Sequence, residues 1–189
     1  MRFIRAIPAA AAASLFPTMA MAHTGLHGDG WLAGLTHPVS GIDHLLAMVA
    51  VGFWAGRIGG TARWLVPLVF VGVMALGAVP GALAGTVPGL EAWLAASVVF
   101  LGLMVAFEVR LATLPAALLV GCFAAFHGLA HGAEMPAMTS AAGYAAGFLA
   151  TTAVLHGLGI AMAAIPLRSI FVRFAGLAIT ATGLVLAAG

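Results

Sequence analysis

Apolar residues run along this chain in six long stretches, and short segments rich in Gly, Pro or Arg separate them. Each stretch has roughly the 20 residues that a helix needs to cross the hydrocarbon core of a bilayer. The pattern therefore predicts an all-α membrane protein, a compact bundle of six transmembrane helices in a single domain over residues 23–189. The predicted helices cover residues 31–55, 64–84, 91–108, 112–133, 140–164 and 169–188.

The composition favours lipid as the surroundings of this bundle. Hydrophobic residues make up 63% of the chain and charged residues only 6%, whereas about a quarter of an ordinary soluble domain is charged. All the basic residues are arginines, and none of them forms a basic run, so nucleic-acid binding is not expected. The sequence has no GxxxxGK[ST] loop, so we expect no ATP hydrolysis.

The extreme N-terminus has the pattern of a secretory signal. Arg2 and Arg5 precede a modest apolar stretch that ends in AMA, a small-x-small cleavage pattern. We predict a signal peptide over residues 1–22, with an uncleaved first helix as the alternative. Both interpretations place the segment after Ala22 outside the cytoplasm, because the arginines hold the N-terminus inside.

The remaining arginines indicate an orientation. All of them follow the first, third or fifth predicted helix, so they share one side of the membrane, and basic loops face the cytoplasm. This predicts an N-out, C-out protein of the bacterial inner membrane whose mature N-terminus is periplasmic. We also expect Glu108 to pair with the nearby Arg110. The arginines in question are Arg57, Arg63, Arg110, Arg168 and Arg173.

Glycines at four-residue spacing form smooth faces on three of the predicted helices. Such faces let two helix backbones approach closely in a membrane. We interpret these glycines as packing positions without a chemical role. They are Gly52 and Gly56, Gly77, Gly81 and Gly85, and Gly143 and Gly147.

The first predicted helix carries the polar segment HPVSGIDHLLAM, residues 37–48. An Asp at the centre of a membrane helix costs about 2.5–3.5 kcal/mol, so such residues tend to be functional. His37, His44 and Met48 would share one face of a straight helix. Asp43 would point roughly 120° away from that face.

A straight helix does not make a metal site from this segment. It would hold His37 and His44 about 10 Å apart along its axis, too far to bind one ion together. Pro38 and Gly41 both loosen helix geometry. We therefore predict an irregular or broken first turn whose freed backbone groups face a polar cavity.

The fourth predicted helix carries FHGLAHGAE, residues 126–134. His127 and His131 are one turn apart, and Glu134 follows on the same face, an arrangement that offers two imidazoles to one ion. The predicted topology puts this cluster and the first one in the outer half of the membrane. Imidazole with carboxylate suits Ni²⁺, Co²⁺, Zn²⁺ or Cu²⁺. The alternative is that each histidine makes an ordinary interhelical hydrogen bond.

Four further residues are candidate accessory ligands. His23, His27 and Asp29 follow the predicted cleavage site and would form a metal-capturing arm, with an ordinary polar tail as the alternative. His156 lies in the fifth predicted helix and would be an inner station for the ion. Because it stands alone in its helix, a hydrogen bond to a neighbouring helix is an equally good interpretation of His156.

Both polar segments resemble known motifs. Residues 37–48 match HPxxGxDHxxxM, and residues 126–134 match FHGxAHGxE, the two signatures of the HupE/UreJ family. The resemblance implies a secondary permease that supplies nickel or cobalt to hydrogenase, urease or cobalamin pathways. The ion is then the substrate, and no permanently bound cofactor is expected. The transport role carries over to His37, Asp43, His44, Met48, His127, His131 and Glu134.

Two other kinds of protein remain as alternatives. An intramembrane metalloenzyme would use Glu134 or Asp43 as general base on a metal-bound water. A metal sensor or an assembly subunit would bind the ion without moving it.

Overall fold

The computed structural model describes residues 30–85, 87–136 and 140–188, and helices joined by short connections account for all of them. The predicted signal peptide and the accessory candidates His23, His27 and Asp29 lie outside the described residues. The all-α prediction is confirmed. The helices are α1 (Gly30–Ser40), α2 (Ile42–Ile58), α3 (Ala62–Ala84), α4 (Leu90–Ala106), α5 (Thr113–Ala133), α6 (Ala141–Ala163) and α7 (Ser169–Ala188).

The lengths of these helices limit the number of membrane spans. Four of them, α3, α5, α6 and α7, are long and apolar enough to cross a bilayer, and α1 with α2 gives a fifth if the bent pair is one span. With 17 residues, α4 is only about 25 Å long at 1.5 Å per residue. The described part of the chain is thus a multi-pass membrane protein with four or five candidate spans, and the count of six stays a prediction.

The first predicted helix is broken. α1 and α2 meet at 82°, and Gly41 between them has an extended backbone with φ −104° and ψ 128°. Ser40 Oγ donates to the carbonyl of His37 at 2.7 Å, which gives a carbonyl at the end of α1 a partner. The prediction of a break in this helix is confirmed, but the first turn, which lies in α1, is regular. The break falls at Gly41, whereas Pro38 is buried inside α1.

Because of the break, Leu35 and Met48 contact adjacent residues of the neighbouring helix α6. Thr151 Oγ1 donates to the carbonyl of Leu35 at 2.9 Å, and Thr152 Oγ1 donates to the sulfur of Met48 at 3.3 Å. Thr151 and Thr152 are adjacent, whereas their partners Leu35 and Met48 are separated by the twelve-residue segment 36–47. All the ionisable residues of the first polar motif lie in this segment.

Glycines allow the helices to pack at backbone distance. A Cβ on Gly52 of α2 would overlap the carbonyl of His156 in α6, and one on Gly81 of α3 would overlap the carbonyl of Leu129 in α5. The packing interpretation is wrong for Gly85 among the described residues, since a Cβ there would meet none of them within 4 Å. This glycine ends α3 with a φ of 67°. A Cβ would meet atoms of a facing helix or segment at Gly52, Gly56, Gly77, Gly81, Gly143 and Gly147.

We expect Gly52→Ala to destabilise the bundle because its methyl group would push α2 away from α6. Overpacking of this kind costs about 1–3 kcal/mol or more. Gly157→Ala is the matched control, since a Cβ there meets nothing within 4 Å and alanine is the better helix former. Thermal unfolding of the purified variants in detergent measures the midpoint of each. Equal midpoints for the two variants would contradict the packing.

The arginine-bearing connections meet at one end of the bundle. Arg57 Nη2 at the end of α2 lies 2.8 Å from Glu108 Oε2 in the connection between α4 and α5. This hydrogen bond lowers the pKa of Glu108, and so do a hydrogen bond with Ser169 and the positive charge of Arg173. The predicted pairing of Glu108 with Arg110 is therefore wrong, because the turn directs the carboxylate back over α2. Which side of the membrane this end faces stays a prediction.

Candidate metal centre

The two polar motifs meet inside the bundle. The ring centroid of His131 lies 4.4 Å from that of His44 and 5.0 Å from that of His37. His127 and His44 have centroids 5.6 Å apart. The bend at Gly41 makes this convergence possible, since it brings the rings of His37 and His44 to 6.1 Å.

Three side chains form a group that we call the outer cluster: His37, His131 and Glu134. One potential ligand atom from each lies within 4.8 Å of the others. Nε2 of His37 lies 3.1 Å from Oε2 of Glu134, and Nδ1 of His131 lies 3.8 Å from the same oxygen. The side chain of Glu134 is 48% exposed and that of His131 only 2%. The outer cluster therefore joins the surface to the buried interior.

His44 and His127 form the inner pair. Nδ1 of His44 donates to the Asp43 carboxylate at 2.8 Å, and Nδ1 of His127 donates to the carbonyl of Phe123 at 2.9 Å. In the neutral form of each ring, the proton is therefore on Nδ1 and the lone pair is on Nε2. Both Nε2 atoms are buried and have no hydrogen-bond partner within the described residues. The carboxylate of Asp43 thus orients His44, as acidic partners of metal-ligating histidines do.

His131 connects the two groups. Its ring contacts those of His37 and His44, and lies 6.3 Å from the ring of His127. Both of its ring nitrogens are buried without a hydrogen-bond partner in the described part of the chain. A buried polar atom left unpaired costs about 1–3 kcal/mol, so such atoms are rare and need an explanation. A ligand that binds these nitrogens would explain why they have no hydrogen-bond partner.

Met48 and His156 belong to neither the outer cluster nor the inner pair. The sulfur of Met48 accepts its hydrogen bond from Thr152. His156 is separated from the inner pair by the ring of Phe70, whose centroid lies 5.4 Å from that of His127 and 5.1 Å from that of His156. Both nitrogens of His156 are buried, with no hydrogen-bond partner among the residues described. His156 is thus one aromatic ring beyond the inner pair.

Two aromatic residues at the site were missed by the sequence reasoning. Tyr144 packs against the ring of His37 at 5.8 Å, and Phe148 packs against that of His131 at 4.1 Å. Tyr144, His131 and otherwise mostly apolar residues line a cavity of about 340 Å³ between α3, the end of α5 and the first half of α6. Tyr144 is the single tyrosine of the sequence, a signal that could have identified it.

Comparison with known proteins extends over nearly the whole chain. A family profile described as "HupE / UreJ protein" matches residues 11–186, a range that includes both motifs. Protein HupE of Rhizobium leguminosarum bv. viciae is 51% identical over 181 residues, which cover 94% of this chain and 95% of that protein. No solved structure matches. By the profile match and this identity, the chain belongs to the HupE/UreJ family.

Proposed function

We propose that the chain is a permease for Ni²⁺, with Co²⁺ as the second candidate substrate, that takes the ion from the periplasm to the cytoplasm. The observation that carries the proposal is the meeting of four histidines inside a bundle of apolar helices. In three of them a buried ring nitrogen has no hydrogen-bond partner in the parts of the chain described. A neutral imidazole with a free lone pair is a common metal ligand.

The chemistry of the donors supports a borderline divalent ion. Imidazole and carboxylate bind Ni²⁺ and Co²⁺ well, and the single cysteine of the chain offers no thiolate pair for Cu⁺. Membership of the HupE/UreJ family favours nickel and cobalt over zinc and copper.

The placement of the residues supports a path with successive ligand exchanges. The ion first binds the outer cluster, whose carboxylate is half exposed. It then passes to the inner pair through His131, which contacts residues of both groups. Beyond the inner pair, the path continues past Met48 and His156. We assign initial capture to the predicted arm of His23, His27 and Asp29, which lies outside the described residues.

The membrane potential supplies the driving force. An inward-moving 2+ ion gains about 4.6 kcal/mol across 100 mV, twice the value for one elementary charge. Nucleotide hydrolysis is therefore not required. The site must also release the ion, and several weak stations in sequence allow release more readily than one tight site.

The orientation rests on the arginines. The histidine groups lie near the ends of α1 and α5, away from the connections that carry Arg57, Arg168 and their neighbours. If basic connections face the cytoplasm, the outer cluster faces the periplasm. We therefore propose an inner-membrane protein whose entrance is the half-exposed Glu134.

One observation favours a different function. The cavity beside His131 has a volume of about 340 Å³ and mostly apolar walls, so it offers room for an organic molecule next to the proposed metal site. An intramembrane metalloenzyme would use Glu134 there as general base. Asp43 is less suited to that role because its carboxylate already binds His44. A sensor or an assembly subunit would use the same ligands.

Accumulation of radioactive nickel in cells separates these functions. We expect cells that make the protein to accumulate far more Ni²⁺ than one equivalent per protein molecule, with Co²⁺ a stronger competitor than Zn²⁺ or Cu²⁺. An enzyme, sensor or assembly subunit would bind about one equivalent and accumulate no more. Cells without the protein give the background. Uptake no greater than this background would contradict the proposal.

A further inference from the structure

The hydroxyl of Tyr144 is buried and has no partner among the described residues. The residue is 4% exposed, and its hydroxyl oxygen makes no hydrogen bond to any described residue. An unpaired buried hydroxyl is costly, and most such groups are bonded. Tyr144 is also held in place, because Gly30 and Gly34 of α1 pack directly against its backbone. The backbone of Tyr144 is therefore closely packed, and a bound ligand would explain the burial of its hydroxyl.

The ring of Tyr144 lies beside the outer cluster. It packs edge-on against His37 at a centroid distance of 5.8 Å, and the residue shares the wall of the cavity with His131. Tyr144 thus borders two of the three members of the outer cluster, although it is not one of the three donors.

The outer cluster by itself leaves an ion incompletely coordinated. It offers one donor atom from each of three residues, and water fills the open positions of a divalent ion held by three protein ligands. A metal-bound water is a strong hydrogen-bond donor because the ion makes it more acidic. A phenol oxygen is a suitable acceptor for such a water.

We propose that Tyr144 is a positioning residue for a partly hydrated ion: its hydroxyl accepts a hydrogen bond from a water bound to Ni²⁺ in the outer cluster. The proposal rests on the proposed function, since it requires the ion to bind there. It assigns to Tyr144 a contribution to affinity for the hydrated metal, and it explains why the hydroxyl has no hydrogen-bond partner among the described residues.

The test uses the purified full chain in detergent and titration calorimetry with nickel chloride. Tyr144→Phe keeps the ring and removes the hydroxyl, so we expect the Kd to rise about three- to tenfold, as for one net hydrogen bond. The thermal midpoint of the metal-free variant is expected to stay equal or rise, because an unpaired buried hydroxyl has been removed. A hydroxyl with a merely structural role would lower the midpoint and the affinity together, which would overturn the proposal.

His131→Ala in the same titration distinguishes failure of the proposed metal site from failure of the proposed role of Tyr144. If Tyr144→Phe binds like the wild type while His131→Ala does not bind, the role of Tyr144 is wrong and the metal site stands. If His131→Ala also binds like the wild type, the outer cluster is not the site, and both proposals fail.

Discussion

Replacing His131 with alanine is expected to reduce nickel uptake at low metal concentration by at least about 100-fold. Loss of a residue that only orients a metal ligand costs about 10- to 100-fold in affinity or activity. His131 has a more direct place than that, because its ring contacts His37 and His44 and its Nδ1 lies 3.8 Å from Glu134. It belongs to the outer cluster, and its ring lies 4.4 Å from that of His44 in the inner pair.

The loss is expected without unfolding. Both ring nitrogens of His131 are buried and unpaired within the described residues, so alanine removes two unsatisfied groups and offsets part of the cost of the cavity it leaves. Ser97→Ala is the control, since Ser97 is also fully buried and polar but bonds only within its own helix. Uptake assays at equal protein levels compare the two. Wild-type uptake in His131→Ala would exclude His131 from the path.

Asp43→Asn is expected to weaken nickel uptake by about 10- to 100-fold, the usual effect of removing the acidic partner of a ligating histidine. The carboxylate accepts the Nδ1 proton of His44 at 2.8 Å and thereby keeps the lone pair on Nε2. An amide can present its NH₂ group to the ring, which stabilises the other tautomer and takes the lone pair out of the site.

The control for this substitution is Glu108→Gln, the same change of carboxylate to amide in the Arg57 pair at the other end of the bundle. We expect this variant to keep the wild-type concentration dependence of uptake. Initial uptake rates measured over a series of nickel concentrations give this dependence for Asp43→Asn and for Glu108→Gln. An unchanged series for Asp43→Asn, or an equal shift for both variants, would show that the carboxylate does not act through His44.

Much of the helical layout could be predicted from hydrophobicity and glycine alone. The six apolar stretches correspond closely to α1 with α2, and to α3 through α7. The break at Gly41 followed from a physical argument, because no straight helix brings His37 and His44 near each other. Hydrophobicity alone did not determine whether each helix spans the bilayer. The helix α4 is at least as apolar as the longer helices, and its length of 17 residues is what sets it apart from them.

The contacts between distant residues could not be predicted in this way. Glu108 pairs with Arg57 because of the direction of a turn, and Met48 accepts a hydrogen bond from Thr152 because α2 packs against α6. The position of Tyr144 over His37 likewise depends on the packing of α1 against α6. Such details follow from the relative placement of helices, which one sequence specifies only through the complete packing of the bundle.

The most direct test is nickel influx into proteoliposomes that contain only this protein and an entrapped nickel-sensitive dye. With an inside-negative potential of about 100 mV, which favours entry of a 2+ ion by about 4.6 kcal/mol, we predict rapid, saturable influx through the wild type. His44→Ala, which removes one half of the inner pair, is predicted to reduce influx to that of empty liposomes. Equal influx through the two proteins, or no influx through the wild type, would contradict the account.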